Sequence, residues 1–346
     1  KMEKKLIIEK KKKKKKKKMA SINYSPVAIR GKAADPVIGE ILFMNNTIAQ
    51  NLVSFEEGIK ASTIFTESVN QVSMQAYTCG SPTPGGTMSL YDTEITPVKV
   101  MYYDVFCDDT LRPSRFNRDM KEGAWNIISD EWNRTVLQKI APTISQDVES
   151  KFWNGSTSAT KAAVGATVSG VTAREQAYVA ASPTSLFDSI VSRLIYNNGA
   201  VGGRISVVGT TISTSNINAE YAKLYAAANP VILNDNNLGE TPYIYAPYAH
   251  KQMINIFNTN ATYRDTFHRE GDAYFYNGIE IKFVPLPADT MILSLPSSLI
   301  MATDLLSDLN YVQIDKVQNN SDERFYKVIF TMFAHVVRQG TIVLYK

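Results

Sequence analysis

The side chains best suited to metal, acid–base or nucleophilic chemistry are few and widely spaced in this sequence. His250, His268 and His335 lie in no HExxH, HxE or CxxC context, so their spacing predicts no metal site. His335 falls within an apolar stretch, which favours a hydrogen-bonded core histidine over a ligand. Cys79 and Cys107 cannot build a disulfide framework and favour a reducing compartment, with Cys79 as a bystander thiol.

The remaining candidate segments also have simple structural explanations. The glycine-rich stretch 198–204 (NGAVGGR) lacks the spacing of a phosphate-binding loop and predicts a flexible turn. The pair Asp108-Asp109 would need a facing carboxylate across a cleft to act on a glycosidic bond. The pair Asp130-Glu131 is suited to stabilising the start of a helix. Because GxSxG and GxxxxGK(S/T) motifs are also absent from the sequence, we predict no catalytic residue, no metal, no cofactor and no enzymatic activity.

The composition is that of a folded protein. The chain has 346 residues, of which 44% are hydrophobic and 20% charged, and this excludes the intrinsically disordered class. The length predicts two domains or one large, elaborated domain. No apolar run approaches the ~18 residues that a membrane-spanning helix needs, so no membrane partner is expected.

The charge is divided unevenly along the chain. Of 37 basic and 33 acidic residues, 12 Lys and 2 Glu lie in 1–18, which leaves 25 basic and 31 acidic residues, or −6, in 19–346. The nine lysines Lys10–Lys18 repel one another and cannot form a packed element. One hypothesis is a nucleic-acid tether, since lysines that neutralise phosphates release counterions. The favoured alternative is a translated A-rich leader before Met19, so we expect 1–18 to be non-native or disordered, and dispensable.

A long two-stranded ribbon is predicted around the turn-rich segment 79–86 (CGSPTPGG), because apolar and polar residues alternate on both sides of it. Asp92 and Glu94 interrupt the second strand and predict a bulge. Such a ribbon is marginal by itself in water, so it must pack on something, for example another subunit. The alternating stretches are Val72–Ala76, Met88–Leu90 and Val98–Tyr102.

Residues 124–154 are predicted to form a long helix, because apolar residues recur every four positions. Pro142 is expected to kink or split it, and Gly155 is placed to end it as a left-handed cap residue. Tryptophans occur only in this part of the chain and favour core packing. The periodic residues are Trp132, Val136, Ile140, Ile144, Val148 and Phe152, and the tryptophans are Trp125, Trp132 and Trp153.

The other segments alternate between helical and strand patterns. An extended arm is expected at 20–45, a short helix at 46–60, and a loop or exposed strand pair at 156–180. The C-terminal seventy residues have β character, and 325–338 is apolar in both registers, which predicts a strand covered on both faces. In between we expect a helix from Ser182 through Ile195, a strand at Ile205–Val208, a helix capped by Asn216, a strand at Tyr243–Tyr245, a helix from Pro247 and a loop at 258–277.

The order of these parts resembles the major capsid proteins of tailed bacteriophages, which have the Hong Kong 97-type fold, over about 46–346. The helix end ESKFWNG (149–155) is similar to helix ends common in that family. YIYAPYAHKQM (243–253) resembles its strand–Pro–helix step, and 277–308 resembles its return between domains. The last strands, 322–345, resemble its closing strands.

The resemblance implies an α+β fold with an N-terminal arm, an extended hairpin called the E-loop, a P domain with a long spine helix, and an inserted α/β A domain. The implied segments are 1–18 leader, 19–60 N-terminal arm, 61–106 E-loop β-hairpin, 107–160 P domain with the spine helix, 161–277 A domain, and 278–346 β-rich return of the P domain with the C-terminal strands.

The same resemblance implies a shell subunit that assembles with itself into pentamers and hexamers and encloses double-stranded phage DNA without sequence specificity. It further implies two partners, a portal and a separate scaffolding protein. The scaffolding protein is expected to be separate because 20–45 is too short to be a fused scaffold. The protein would be part of the virion, assembled in the bacterial host cytoplasm. The ribbon tip, 79–90, has no lysine, so the covalent cross-linking of some members is not expected.

Three other classes of function stay open from the sequence. One is the shell of an encapsulin-type compartment, which would need a cargo-binding groove that no sequence feature marks. A second is a nucleic-acid-binding protein that uses Lys10–Lys18. An enzyme is the weakest alternative. A body at −6 suits a container for DNA, because a strongly basic lining would retain phosphate.

Overall fold

The computed structural model describes most of the chain from residue 46 onward and one short piece before it. Predictions about Lys10–Lys18, Asp108-Asp109, Trp125 and 198–203 concern positions outside the described residues. In the described part, no helix is both long and apolar enough to cross a membrane. The described ranges are 27–30, 46–59, 61–71, 74–77, 79–80, 85–107, 130–165, 170–196, 204–233, 239–260, 266–304, 311–317 and 323–346.

Helices dominate the middle of the chain and strands its two ends. The strands are β1 (Val27–Arg30), β2 (Ser54–Glu56), β3 (Thr63–Gln71), β4 (Thr87–Ile95), β5 (Val98–Cys107), β6 (Ile205–Val207), β7 (Tyr243–Pro247), β8 (Phe267–Glu270), β9 (Ala273–Tyr276), β10 (Ile279–Val284), β11 (Met291–Ser294), β12 (Leu299–Ala302), β13 (Tyr311–Lys316), β14 (Glu323–Val336) and β15 (Val343–Tyr345). The helices are α1 (Asn46–Ala49), α2 (Asp130–Trp153), α3 (Ser158–Gly165), α4 (Ala173–Ala181), α5 (Ile190–Tyr196), α6 (Ile217–Ala226), α7 (Pro230–Leu233) and α8 (Tyr248–Asn260).

A six-stranded sheet is organised around β14. Its order is β1-β13-β14-β12-β2, and β5 also pairs with β14. Ten consecutive residue pairs join β5 to β14, from Val98 opposite Met332 to Cys107 opposite Glu323. Every position of 330–336 is buried, which confirms, for this half of the strand, the prediction of cover on both faces.

The alternation of side chains along β14 separates two apolar clusters. Phe330, Met332 and Ala334 belong to the main core, which also contains the buried face of α2. Phe333, one step out of phase, belongs to a smaller cluster with residues of β4 and β12. Because successive side chains of a strand point to opposite faces, one strand supports both clusters.

The long helix is present as α2 and is continuous through Pro142. Of the two predicted effects of this proline, a kink or a split, the split is therefore wrong. Ile144, Val148 and Phe152 are buried, as their four-residue spacing predicts. The helix also has a polar contact with the sheet, because the Tyr102 hydroxyl of β5 donates to Asp147 Oδ2 at 2.6 Å.

Gly155 follows α2 but is not a left-handed cap, because it is not among the residues with positive φ. Close packing favours glycine here instead. A Cβ on Gly155 would lie 3.0 Å from Ser185 Cβ and 3.2 Å from the carbonyl oxygen of Lys151. Its own carbonyl accepts a hydrogen bond from Ser192 Oγ at 2.8 Å. The residue therefore allows the helix end to pack closely on the following segment.

A seven-stranded sheet forms the second layer, in the order β6-β15-β11-β7-β10-β9-β8. Strand β10 is parallel to β7, and α8 lies between them in the chain, as in a βαβ unit. The last strand, β15, is also in this sheet, between β6 and β11. The sheet therefore contains strands from both sides of residue 277, where the sequence predicted the boundary between the A domain and the β-rich return of the P domain.

Two predicted loops contain regular structure instead. Residues 156–180, expected as a loop or strand pair, include α3 and α4. Helix α4 starts with a capping box, in which Thr172 Oγ1 accepts from the Glu175 amide and Glu175 accepts from the Thr172 amide. The predicted loop 258–277 contains the end of α8 and the hairpin β8–β9, whose turn includes Gly271 at φ +59.

Three smaller predictions are also corrected. The helix expected over 46–60 is the short α1 followed by β2. The helix expected from Ser182 begins at Ile190. Asn216 precedes α6 but makes no side-chain cap bond, since its Oδ1 accepts from the Ser213 amide at 2.7 Å.

Buried side-chain hydrogen bonds connect α1 to the end of α2. Thr47 Oγ1 donates to Glu149 Oε1 at 2.8 Å and accepts from Trp153 Nε1 at 2.9 Å. The Thr47 amide also donates to the same carboxylate, at 3.2 Å. The Tyr245 hydroxyl of β7 donates to the Leu52 carbonyl at 2.5 Å, so the segment after α1 is held by both layers.

Thr47→Val is expected to destabilise the subunit by about 2–4 kcal/mol. The substitution leaves the indole N–H of Trp153 without its acceptor and removes one donor from the buried Glu149 carboxylate. Urea unfolding of the purified chain measures the change. Thr63→Val, at an exposed position of β3, is the matched control and should change stability by less than about 0.5 kcal/mol. Equal stability of the two variants would contradict this role for the Thr47 hydroxyl.

Candidate interaction surface

The ribbon is built from β3 and β4. Nine residue pairs join them in one unbroken register, from Thr63 opposite Ile95 to Gln71 opposite Thr87. The bulge predicted at Asp92 and Glu94 is therefore absent from this pairing. Both carboxylates instead accept hydrogen bonds across the ribbon: Thr66 Oγ1 donates to Asp92 at 2.6 Å, and Ser62 Oγ donates to Glu94.

The ribbon strands differ from the predicted ones in two places. The first strand is 63–71, earlier than the predicted 72–76, of which 74–76 is not in a strand. Residues 98–102, predicted to continue the second strand, belong to β5 and pair with β14. The break falls at Thr96-Pro97, since proline has no amide hydrogen to donate to a ladder.

The two faces of the ribbon differ in burial at its base. Directly paired residues point to the same face, so Phe65 and Ile95 share one face, while Ile64, Met88 and Leu90 share the other. Ile95 is fully buried. Ile64, Met88 and Leu90 are 62%, 67% and 59% exposed. We call these last three residues the ribbon stripe.

The base of the ribbon is anchored on its own chain. Phe65 and Ile95 contact a small apolar cluster on β12 and the end of β14, so the ribbon leaves the body from a packed foundation. The buried members of this cluster are Ile59, Ile95, Ile300, Ala302 and Phe333, with Phe65 and Val337 partly buried against them.

A second exposed apolar stripe lies on β5. Met101, Tyr103 and Val105 alternate along the strand and are 55%, 50% and 38% exposed. Val100 and Tyr102, on the opposite face, are in contact with the main core. Within the described part of the chain, β14 is the one strand that pairs with β5. We call Met101, Tyr103 and Val105 the β5 stripe.

The stripes differ in the charges beside them. Asp92 and Glu94 lie on the face of the ribbon stripe, because they pair with Thr66 and Ile64. Lys99 precedes the β5 stripe and is exposed, and Lys327 of β14 lies directly opposite Tyr103. The sequence analysis assigned Val98–Tyr102 to the ribbon and did not identify Met101, Tyr103 and Val105 as a separate exposed stripe.

The three histidines have different surroundings and do not form one site. His250 is buried between the Tyr221 hydroxyl, 3.1 Å from Nδ1, and the Ala288 carbonyl, 2.8 Å from Nε2, and burial lowers its pKa. His268 is exposed beside Glu270. Among the described residues, no group of three or more His, Cys, Asp or Glu side chains is placed to hold a metal.

His335 is in the core, as predicted, but it is not hydrogen-bonded. It is 1% exposed, and both ring nitrogens are without a hydrogen-bond partner. Burial, with a smaller contribution from the positive charge of Arg193, lowers the pKa of His335 to about 4. Cys79 is exposed and Cys107 is partly exposed, and no disulfide joins them. Asp130 and Glu131 begin α2, as expected for an acidic helix start.

Two buried polar groups escaped sequence analysis. Arg204, assigned to a flexible turn, is buried and forms an ion pair with Glu175 of the α4 capping box. Glu220 of α6 accepts from the Tyr345 hydroxyl at 2.5 Å and from Thr210 Oγ1 at 2.9 Å. Burial acts to raise the pKa of Glu220, but hydrogen bonds from Lys223, Tyr345 and Thr210 outweigh it and lower the pKa. These groups connect helices to strands.

Two solved structures have folds similar to that of this chain. A chain of the satellite phage P4 procapsid that includes the size determination (Sid) protein aligns at 11% identity and a TM-score of 0.52, over 90% of this chain and 98% of that chain. A chain of the capsid of a native GTA particle aligns at 11% identity and a TM-score of 0.52, over 88% of this chain and 90% of that one. No protein-family model and no curated protein matches the sequence. The likeness shows the fold of tailed-phage capsid proteins.

The two faces of the ribbon should respond differently to truncation. Ile95→Ala removes buried apolar volume at the base and should destabilise the subunit by about 2–4 kcal/mol. Leu90→Ala, on the exposed stripe, should change stability by less than about 0.5 kcal/mol and reduce the binding of a hydrophobic dye to the folded chain. Denaturant unfolding and dye fluorescence measure the two effects. A large loss of stability in Leu90→Ala would mean that the stripe is packed within its own chain.

Proposed function

We propose, from the premise that this chain has the fold of tailed-phage capsid proteins, that it is a major capsid protein whose copies form an icosahedral shell around double-stranded DNA. The observation that carries the proposal is the ribbon, anchored at its base and apolar on an exposed face. Three large apolar side chains on one face of the ribbon, each more than half exposed, favour a surface that another molecule covers.

The size and position of the ribbon favour a second copy as that molecule. A two-stranded ribbon is marginal alone, and β3–β4 is a separate two-stranded sheet in the described part of the chain. A specific protein contact buries more than about 1,000 Å², and a ribbon of nine pairs supplies a long surface for it. The ribbon is thus suited to span a subunit boundary.

The β5 stripe is the surface we propose for the neighbour's ribbon. The ribbon stripe of one copy would pack against the β5 stripe of the next copy, so the exposed apolar side chains of both stripes would be buried. The carboxylates Asp92 and Glu94 would approach the lysines Lys99 and Lys327, which favours one orientation of the contact. Because the two surfaces differ, the contact is heterologous, and a heterologous contact that closes on itself generates rings, here the proposed pentamers and hexamers.

The segments of the chain take their proposed roles from this contact. Residues 61–106 would act as the E-loop, 19–60 as the N-terminal arm, and 107–160 with 278–346 as the P domain. Residues 161–277 would form the A domain, with strands of the return completing its sheet. The net charge of −6 outside 1–18 supports a role as a shell that encloses DNA without binding its phosphates tightly. A separate scaffolding protein and a portal are the expected assembly partners.

Met88→Asp/Leu90→Asp should abolish assembly without unfolding the subunit. The two carboxylates would lie on the contact face, where burying them unpaired is costly. When the full-length chain is expressed with the genes that neighbour its own, the unmodified chain should give closed particles by electron microscopy. The double variant should give at least tenfold fewer particles and folded subunits by circular dichroism.

Thr87→Asp is the control, because Thr87 is exposed on the opposite face of β4. It should assemble as the unmodified chain does. If the unmodified chain yields only monodisperse monomers by light scattering, the shell proposal is wrong. If the double variant assembles in normal yield, the ribbon stripe is not the contact.

A further inference from the structure

His335 lies where the ribbon base meets the sheet. It is directly opposite Ile300 of β12 and two residues from Phe333. Its ring centroid is 5.9 Å from that of Phe65, the β3 residue that anchors the ribbon, and 6.3 Å from that of Phe333. The imidazole is thus surrounded by apolar side chains from β3, β12 and its own strand.

The charged group that faces this histidine comes from α5. The Arg193 guanidinium lies 4.1 Å from the centroid of the Phe333 ring, and its Nε has no hydrogen-bond partner. Burial lowers the pKa of Arg193 to about 10, against the opposing effect of Asp188. From β3, β12 and β14 the side chains that contact His335 or share its cluster are apolar, namely Phe65, Ile300 and Phe333.

The site therefore lies beside one positive charge, and among the described residues neither ring nitrogen has a hydrogen-bond partner. A neutral imidazole packs there as an aromatic disc. A protonated imidazole would present two N–H donors to apolar surroundings next to Arg193, and burying an unpaired charge is costly. Phe65 packs against the ring on the ribbon side, so solvent would reach those donors once Phe65 moved away.

We propose that His335 is an acid-sensitive latch, which holds the base of the ribbon on the sheet while neutral and releases it when protonated. Release separates Phe65 and Ile95 from the β12–β14 cluster, while the main core on the other face of β14 stays packed. The latch is a property of the single chain and does not depend on shell assembly.

The direction of the pH dependence follows from the lowered pKa. Folding favours the neutral ring, so its stabilising effect is complete above the ordinary histidine pKa of about 6.5 and is lost as the pH falls toward about 4. His250 is also buried with a lowered pKa, but it is hydrogen-bonded at both nitrogens and lies by the core of the seven-stranded sheet. A local measurement at the ribbon separates the two.

The test uses the unassembled full-length chain, with Cys107→Ser and a fluorophore on Cys79, the exposed thiol near the ribbon tip. Fluorescence anisotropy should show at least a twofold gain in rotational mobility between pH 7 and pH 4.5, with unchanged far-ultraviolet circular dichroism. His335→Phe should remove this transition. If His335→Phe does not fold, His335→Leu serves as the test variant in its place. Arg193→Met should move the midpoint to higher pH, because it removes the charge that opposes protonation.

His268→Asn is the control, since His268 is exposed, and it should keep the transition. Hydrogen exchange at the amides of Phe65 and Ile95 provides an independent readout of the same release. The proposal is overturned if mobility is unchanged down to pH 4.5, if the His335 variants keep the transition, or if the ribbon loosens only together with global unfolding.

Discussion

Strand β14 must be apolar on both faces because it separates two cores, and the rest of the fold depends on that constraint. Its even-numbered residues from Val328 to Val336 belong to the cluster that includes α2, whereas Phe333 belongs to the cluster at the base of the ribbon. Its backbone pairs with β5, β12 and β13. Since a one-residue shift of register would exchange the two faces, the pairing of β14 fixes the positions of α2 and the ribbon together.

Buried charges fix the second layer in a similar way. Glu175 serves both as the capping residue of α4 and as the partner of Arg204 at the start of β6. Glu220 of α6 holds Tyr345 in β15, and Gly209 leaves room for that ring, since a Cβ there would lie 2.2 Å from it. Each pair is satisfied only when helix and strand are correctly placed. Such pairs contribute more to the uniqueness of the arrangement than to net stability.

Strongly periodic segments could be predicted from the sequence, and segments defined by partners could not. Ile144, Val148 and Phe152 identified the buried side of α2, and the double-sided apolar pattern identified β14. The ribbon strand 63–71 was missed because its pairing with β4, including the hydrogen bond from Thr66 to Asp92, has no local signature in the sequence. Helix α4 had a usable signal in Thr172 and Glu175. The partnerless His335 and the separate β5 stripe required three-dimensional pairing to be recognised.

The joint at Thr96-Pro97 gives the ribbon a mechanical property. Nine residues of antiparallel strand span about 30 Å, so the ribbon is a lever arm whose pivot lies at this joint and at the cluster beneath Phe65. A rotation of about 10° at the pivot displaces the far end by about 5 Å, given that length. A small change of packing at the base would therefore displace the far end of the ribbon by several ångströms. In the proposed shell, such rotations would let copies of one sequence contact neighbours at different distances, as a curved surface built from identical subunits requires.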